Sequence, residues 1–358
     1  MSTVTILAVG DTALANNRDE NPFLNVRSTL AHKDILFGNL EVSLSESKKR
    51  AKKAHVIWAQ PRKAQFLRDA GFDILNVANN HILDLGVEGF RETLESLDRC
   101  GLHHIGASVS SSAPREALIC KAGTTIGFLG YTIGRFRVPR AIRINKLKRR
   151  DVLKDIDRLK QECDVVVVSL HWGTENVYYP SPGQIRLAHE LVDRGATLVL
   201  GHHPHVIQGV EEYKNGLIAY SLGNFYFDPA ISYRGTRASV VLRIDLEKTG
   251  VRRYELIPVE MNEDLLPTLV EGPDRSSNLD FIQHLSRCVS EDKISSNWWF
   301  EEISEAYLTD SVQNFSLRSK RYGIQTAVMF AAWLFLPFNI KCYAGLFRRR
   351  LKNRVRRN

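Results

Sequence analysis

The chain has 358 residues, 25% of them charged and 44% hydrophobic, which excludes a disordered chain and allows one large domain with an appendage. The formal net charge is +9, but seven of the positive charges fall within residues 348–357, so the basic character is local and argues against a generally basic nucleic-acid binder. The five cysteines, Cys100, Cys120, Cys163, Cys288 and Cys342, are odd in number and widely spaced, with no CxxC pair. That excludes a disulfide framework and a cysteine zinc site.

A β-branched, apolar run over residues 3–9 predicts a first strand that stops at Gly10 and Asp11. Residues 35–37 predict a second, stopping at Gly38, Asn39, Leu40 and Glu41, and residues 74–77 a third, stopping at Ala78, Asn79, Asn80 and His81. Two further apolar runs end in Ser169, Leu170, His171 and Trp172, and in Gly201, His202, His203, Pro204 and His205. Apolar residues at three- and four-residue spacing over 62–70, 86–100, 151–163 and 185–194 predict helices between the strands, hence βαβ units and an α/β fold. Over 217–220, 239–246 and 254–259 strands follow one another without helices, which predicts a more antiparallel arrangement. Pro267, Gly272, Pro273 and a Ser/Asn/Asp cluster read as a linker before helical patterns at 279–289 and 298–308. The expected organisation is a domain over 1–262, a helical extension over 263–322 and a hydrophobic-basic segment over 323–358.

In an open α/β sheet, ligands bind outside the carboxyl ends of the strands. The five polar strand ends offer Asp11, Glu41, Asn80, His81, His171, His203 and His205. Carboxylate, amide oxygen and imidazole together suit Mn, Fe or Zn, and a carboxylate can bridge two such ions. Two divalent ions about 3.5–4 Å apart polarise a phosphoryl or carboxyl oxygen and activate water, so hydrolysis is the predicted chemistry. If Pro204 holds an extended turn, His203 and His205 project to one side and His202 points away.

Several neighbours carry a structural explanation beside a functional one. Ser181, Pro182 and Gln184 match a capping box with proline at the first helical position, and Asp84 reads as the cap of the helix after His81. Glu175 and Trp172 follow His171, where a carboxylate could orient an imidazole and an aromatic wall could exclude water; a surface glutamate and a packed tryptophan are the alternatives. Asn224 reads as a residue that orients a ligand or as a turn amide. The basic groups at 48–53 and 135–150 flank strand exits and predict an anionic substrate.

Residues 324–340 form a nearly uncharged, apolar run of 17 residues interrupted by Pro337, at the lower limit for a spanning helix. With the polybasic residues behind it, this run predicts attachment to an anionic membrane surface rather than to nucleic acid, because Trp, Phe and Leu do not grip phosphates. A buried helix followed by a solvated tail is the plainer alternative. No signal-like run precedes the first strand, and the expected setting is cytoplasmic with membrane association through the C-terminus.

Gly10-Asp11, Gly38-Asn39-Leu40-Glu41, Asn79-Asn80-His81 with Asp84 and Gly86, His171-Trp172-Gly173 with Glu175, residues 180–184, His203-Pro204-His205-Val206 with Gln208, and Tyr220 to Phe225 occur in this order. Together they resemble the CapA, or PgsA-like, capsule-synthesis proteins of poly-γ-glutamate and some polysaccharide capsules, over residues 3 to about 260. That family is similar to the calcineurin-like metallophosphoesterases. The resemblance implies a four-layer α/β sandwich with two metal ions held by Asp11, Glu41, Asn80, His171, His203 and His205, and His81 as the group that assists the leaving atom. It implies partners among anionic polymers, phosphorylated precursors and a capsule-synthesis complex. The chain departs from the phosphoesterase pattern at Ala13, where an imidazole is usual, and at Glu41, where an aspartate is usual.

Overall fold

A computed structural model describes residues 3–15, 18–110, 115–134, 136–227 and 237–355; Arg135, Arg356 and Arg357 of the basic groups lie outside the described residues. The order begins β1 (Val4–Thr12), α1 (Arg27–Ala31), β2 (Ile35–Leu40), β3 (Ser43–Leu44), β4 (Trp58–Ala59), α2 (Ala64–Asp69), β5 (Ile74–Asn76), α3 (Gly86–Arg99), β6 (His103–Ile105) and β7 (Ala107–Ser108). It continues with β8 (Glu116–Lys121), β9 (Thr124–Thr132), β10 (Arg143–Ile144), α4 (Arg149–Leu159), β11 (Val165–His171), α5 (Pro182–Arg194), β12 (Leu198–His202), β13 (Val210–Tyr213), β14 (Gly216–Ala219) and β15 (Asn224–Tyr226). It closes with β16 (Ala238–Glu247), β17 (Gly250–Met261), β18 (Pro267–Leu269), α6 (Gly272–Ser290), α7 (Ser296–Tyr322), α8 (Ile324–Leu334) and α9 (Pro337–Val355).

Two mixed sheets form the centre. The first runs β18-β17-β16-β1-β2-β5-β6, with β15 also on β1; the second runs β13-β14-β12-β11-β9-β8. Strands β1, β2, β5 and β6 are parallel, as are β9, β11, β12 and β14, while β16, β17 and β18 join antiparallel, as the loss of helices after residue 216 predicts.

Side-chain alternation builds the layers. Ile6 and Ala8 of β1 and Val165 and Val167 of β11 face each other between the sheets. Leu7 and Val9 turn outward to the α2 and α3 residues Leu67, Phe90 and Leu94, and Val166, Val168 and Leu170 turn outward to Ile156, Leu159 and Leu191 of α4 and α5. The result is a four-layer α/β sandwich. Cys288, Trp299, Phe300, Ile303 and Cys342 join that last cluster, so α6, α7 and α9 extend the α4–α5 layer.

The C-terminal elements differ from the sequence reading. Pro267 lies in β18, which pairs with β17 beyond residue 262. Pro273 sits in the first turn of α6 rather than in a linker, where its missing N–H costs nothing. By contrast, as the interruption at Pro337 predicts, the apolar run at 324–340 is broken into α8 and α9, with Pro337 opening the second helix.

Candidate metal centre at the carboxyl ends of the parallel strands

The polar strand ends of both sheets meet at one place. Gly10 permits the approach that seats Asp11: a Cβ there would lie 2.0 Å from the Gly223 carbonyl oxygen, and the Asp11 N–H donates to that same oxygen at 2.9 Å. Across the gap between sheets, Asp11 Oδ2 accepts from the His203 backbone N–H at 3.0 Å. Asn79 pins the loop after β5, its amide donating to the Leu40 carbonyl at 2.6 Å and its oxygen accepting from the His81 N–H at 3.0 Å.

His203 and His205 are delivered differently from the extended turn expected around Pro204. Both are left-handed, with φ of 93° and 60°, a conformation disfavoured for non-glycine residues and held here by the surrounding contacts. Their rings stand 5.7 Å apart between centroids, and that of His203 is 4.6 Å from His171. His202, expected to point away, is fully buried beside Phe37, with Nδ1 3.7 Å from Asp11 Oδ1. It lies behind Asp11 and joins none of the ligand sets below.

Among the described residues, three sets of side chains bring one ligand atom each within 4.8 Å of one another: Glu41, His171 and His203; Asp11, Glu41 and His205; and Glu175, His203 and His205. Glu41 belongs to two sets. Its Oε1 is 3.5 Å from His171 Nε2, 3.8 Å from His81 Nε2 and 3.9 Å from His205 Nε2. The Asn80 amide oxygen stands 2.7 Å from His171 Nε2. Glu41 is completely buried, and among the described residues neither of its oxygens has a hydrogen-bond partner.

An ionised carboxylate taken out of water without donors or a counter-charge is strongly disfavoured. Burial, and after it the charges of Asp11 and Glu175, push the Glu41 carboxyl well above the usual range. Burial likewise raises Asp11 to about 7, against the His203 N–H and the Asn39 amide, which lower it. The same burial depresses His171 well below its ordinary value, His203 to about 3 and His205 to about 4, so these imidazoles are neutral near pH 7. Neutral imidazoles around a buried carboxylate whose oxygens accept no hydrogen bond are the donor set a divalent cation requires, and the residues present fit such ions.

Residues outside the predicted set hold the ligands. Asn39 donates to Asp11 Oδ1 at 2.8 Å and lies 3.3 Å from His171 Nδ1, and Asn76 donates to the Asn39 oxygen at 3.2 Å. Donation by Asn39 leaves the His171 proton on Nε2, facing Asn80, where a cation would displace it. The sequence reading missed Asn39 and Asn76; the available signal was an amide inside each of two otherwise apolar strands. Asn224 falls where a ligand-orienting residue belongs: its oxygen is 3.0 Å from His205 Nδ1, which turns Nε2 toward Glu41.

His81 also has a fixed orientation. Its Nδ1 donates to Asp84 Oδ2 at 2.6 Å, leaving Nε2 directed at Glu41. Asp84 in turn accepts from the Ile57 N–H at 2.7 Å and from Lys53 at 2.6 Å. Asp84 is therefore not the cap of α3, which has Leu85 at its N-cap and no side-chain cap bond; the three-residue spacing from His81 was the overlooked signal. Burial lowers the His81 pKa, and the Asp84 carboxylate opposes that shift.

Glu175 sits at the rim, 3.9 Å from His203 Nε2. Beside it Asn176 donates to Asp310 of α7 at 3.3 Å, Asn314 donates to the other Asp310 oxygen at 3.2 Å, and Asn314 Oδ1 lies 3.2 Å from His55 Nε2. Helix α7 therefore borders the mouth of the site, a placement nothing in the sequence pattern announced. Trp172 is the predicted site residue the structure does not bring in. It is buried in the α4–α5 layer, stacked on Tyr220, with Nε1 donating to the Tyr220 carbonyl at 3.1 Å. Ser181 and Gln184 form the capping box.

The family model described as bacterial capsule synthesis protein PGA_cap matches residues 5–229. The chain is 32% identical over 254 residues to the capsule biosynthesis protein CapA of Bacillus anthracis, covering 67% of this chain and 61% of that protein. It is 33% identical over 241 residues to the PGA biosynthesis protein CapA of Bacillus subtilis (strain 168), covering 64% and 62%. The chain thus spans about three fifths of the length of these curated relatives. A solved structure of a novel phosphatase from Mycoplasma pneumoniae overlaps 77% of this chain and 97% of its own, at 14% identity and a TM-score of 0.48, a likeness that bears on neither ligand nor reaction.

Proposed function

The chain belongs to the bacterial capsule synthesis protein family PGA_cap, and from that premise we propose that it is a metal-dependent hydrolase of capsule or exopolymer biosynthesis, acting on an anionic polymer of the poly-γ-glutamate type or on a phosphorylated precursor. One observation carries the reading: Glu41, buried without a hydrogen-bond partner for either oxygen, is common to two sets of ligand atoms. Asp11, Glu41, Asn80, His171, His203 and His205 would hold the ions. Bound divalent ions supply Lewis-acid polarisation of a phosphoryl or carboxamide oxygen and a water made nucleophilic near neutral pH.

The chain's own groups do the rest. His81, with Nδ1 committed to Asp84, presents Nε2 to the reacting atoms; Nε2 accepts a proton as a base and, once protonated, passes it to the leaving atom while Asp84 supports the imidazolium. Asn39, Asn76 and Asn224 keep the ligand rings from turning. Lys53, beside Asp84, and the neighbouring basic residues draw in an anionic substrate.

A second reading is a non-catalytic, membrane-associated scaffold that holds the polyanion during synthesis or export. Ala13 favours it: this position is packed in the apolar cluster and gives the Asp11 side of the centre no imidazole. Metal content by mass spectrometry, on the wild type and on the His203→Ala/His205→Ala variant, tests the metal premise. Two ions per chain in the wild type, lost from the variant, support the enzyme. With metal retained, His81→Ala is expected to lower hydrolysis of γ-glutamyl oligomers or phosphorylated precursors by about 10²–10⁴-fold. Absence of metal after reloading with Mn²⁺ or Zn²⁺, or normal capsule production by His81→Ala, would leave only the scaffold.

A further inference from the structure

Helix α9 packs Phe338 and Cys342 inward against α7 and its neighbours near its start, but along its second half it turns charge inward and apolar side chains outward. Its inner face lies on α7 and carries charge: Arg348 and Lys352 pair with Glu301 at 3.2 and 2.5 Å, and Arg349 with Glu305 at 3.8 Å. Asn339 and Cys342, on the same face, are buried. The outer face holds Ile340, Tyr343, Phe347 and Leu351, at steps of three or four residues that place them on one stripe. All are exposed, Phe347 at 63%. Phe335, in the elbow before α9, is exposed at 78%, and Leu336 beside it and Val328 and Met329 of α8 are exposed as well. Such a contiguous apolar face on a helix marks a surface that something covers.

Charge selects the occupant. Residues 324–358 contain eight Lys or Arg and no acidic residue. Arg350 and Arg354 flank Phe347 and Leu351 along the outer stripe. A symmetric contact between two copies would set this cationic face against itself. An anionic lipid surface accepts both parts, taking the aromatic and aliphatic side chains at its headgroup boundary and the arginines at its phosphates. Among the described residues no single helix is long and apolar enough to cross a membrane, and the segments Val328–Leu334 and Pro337–Arg354 meet at a bend of 61°. Since the inner face of α9 is ion-paired to α7, the helix is held along the body of the protein, as in-plane contact requires.

We infer that the outer face of α9, with the α8–α9 elbow, docks the protein on an anionic bilayer surface. The same helix α7 that anchors α9 supplies Asp310 and Asn314 to the rim of the metal centre, so docking fixes the distance of that centre from the lipid. The inference stands apart from hydrolysis, because its test reads no turnover.

The test is co-sedimentation of the full chain with vesicles of phosphatidylcholine, alone or mixed with phosphatidylglycerol, at low and high salt. Retention on the mixed vesicles, weakened by salt and absent on phosphatidylcholine alone, is expected. Phe335→Glu/Phe347→Glu and Arg350→Glu/Arg354→Glu are each expected to reduce it by about tenfold or more. Both change exposed positions, and unchanged circular dichroism and metal content confirm that the fold is kept. Undiminished retention of the phenylalanine variant would overturn the inference, as would equal retention on both vesicle types. So would a concentration-dependent dimer, abolished by that variant, without vesicle retention; it would assign the face to a second copy. Binding to soluble polyglutamate but to neither vesicle would assign it to the polymer and equally overturn docking.

Discussion

The strand-end centre and the α8–α9 helices depart from the ordinary division of inside and outside in opposite directions. At the centre, Asp11, Glu41 and His171 are buried where apolar groups usually lie. On α9, Ile340, Phe347 and Leu351 are in solvent while Arg348, Arg349 and Lys352 face α7. The two departures differ in cost. An unpaired ion in the interior costs several kcal/mol, whereas exposed apolar surface costs about 25 cal/mol per Å². The centre is therefore expected to keep its ions through purification, and the helix to bind and leave its surface reversibly.

Replacing Glu41 by Gln attacks the interior half of this comparison and carries the largest expected effect. The substitution keeps the shape but removes the charge shared by two ligand sets. In the wild type, divalent metal at about a hundredfold excess over Kd should stabilise the fold by about 2.7 kcal/mol. In Glu41→Gln this gain should disappear. Metal-free Glu41→Gln should in turn be more stable than metal-free wild type at alkaline pH, by about 2 kcal/mol, because an unpaired buried charge is gone. Thermal unfolding with and without Mn²⁺ measures both. A metal-free variant less stable than the wild type would mean that Glu41 is satisfied without a cation.

The pH dependence is the next largest effect. Asp11 rises from 3.8 unfolded to about 7 folded, so its contribution to stability is complete below 3.8 and is lost as pH rises through 7. Glu41, also raised, acts in the same direction. His203 and His205 fall from 6.5 to about 3 and about 4, so theirs is complete above 6.5 and is lost as pH falls toward those values. Through Asp11, metal-free protein should lose stability as pH rises from 3.8 through 7, and metal-loaded protein should not. Binding must displace the Asp11 proton, so below pH 7 the Kd should tighten about tenfold per pH unit for each proton released. Calorimetric titration with Mn²⁺ or Zn²⁺ in buffers of different ionisation enthalpy counts those protons, and a pH-independent Kd would mean that no carboxyl is protonated in the metal-free centre.

Much of the centre was legible because strand ends announce themselves: apolar runs that stop at Asp11, His171 or His203 give both the element and the side at which it exits. What the sequence hid depended on neighbours distant along the chain. Asn39 and Asn76 lie within β2 and β5, and only the packing of one sheet on the other shows that their amides meet Asp11 and His171. Asp310 reaches the rim from α7, whose polar residues follow no clear stripe. His202 and His203 are adjacent in sequence, yet the left-handed backbone at His203 sends one ring behind Asp11 and the other into the centre. The apolar run at 324–340 was evident, but which face of the following helix is covered depends on Glu301 and Glu305 of α7, and periodicity cannot supply that.

The smallest expected effect belongs to the inner face of α9. Glu301 holds Arg348 and Lys352 where one partner is more than half exposed to solvent and the other more than a third, so the pairs resemble surface ion pairs more than buried ones. Glu301→Gln should cost about 1 kcal/mol. It should leave vesicle retention unchanged, because the outer stripe and its arginines are untouched. Unfolding by urea, followed through the fluorescence of Trp298 and Trp299 at the start of α7, measures the first, and co-sedimentation the second. If Glu301→Gln instead abolished retention, the ion pairs with α7 would be what keeps the apolar stripe turned outward, and the orientation of the second half of α9 would be imposed by α7 rather than carried by the helix itself.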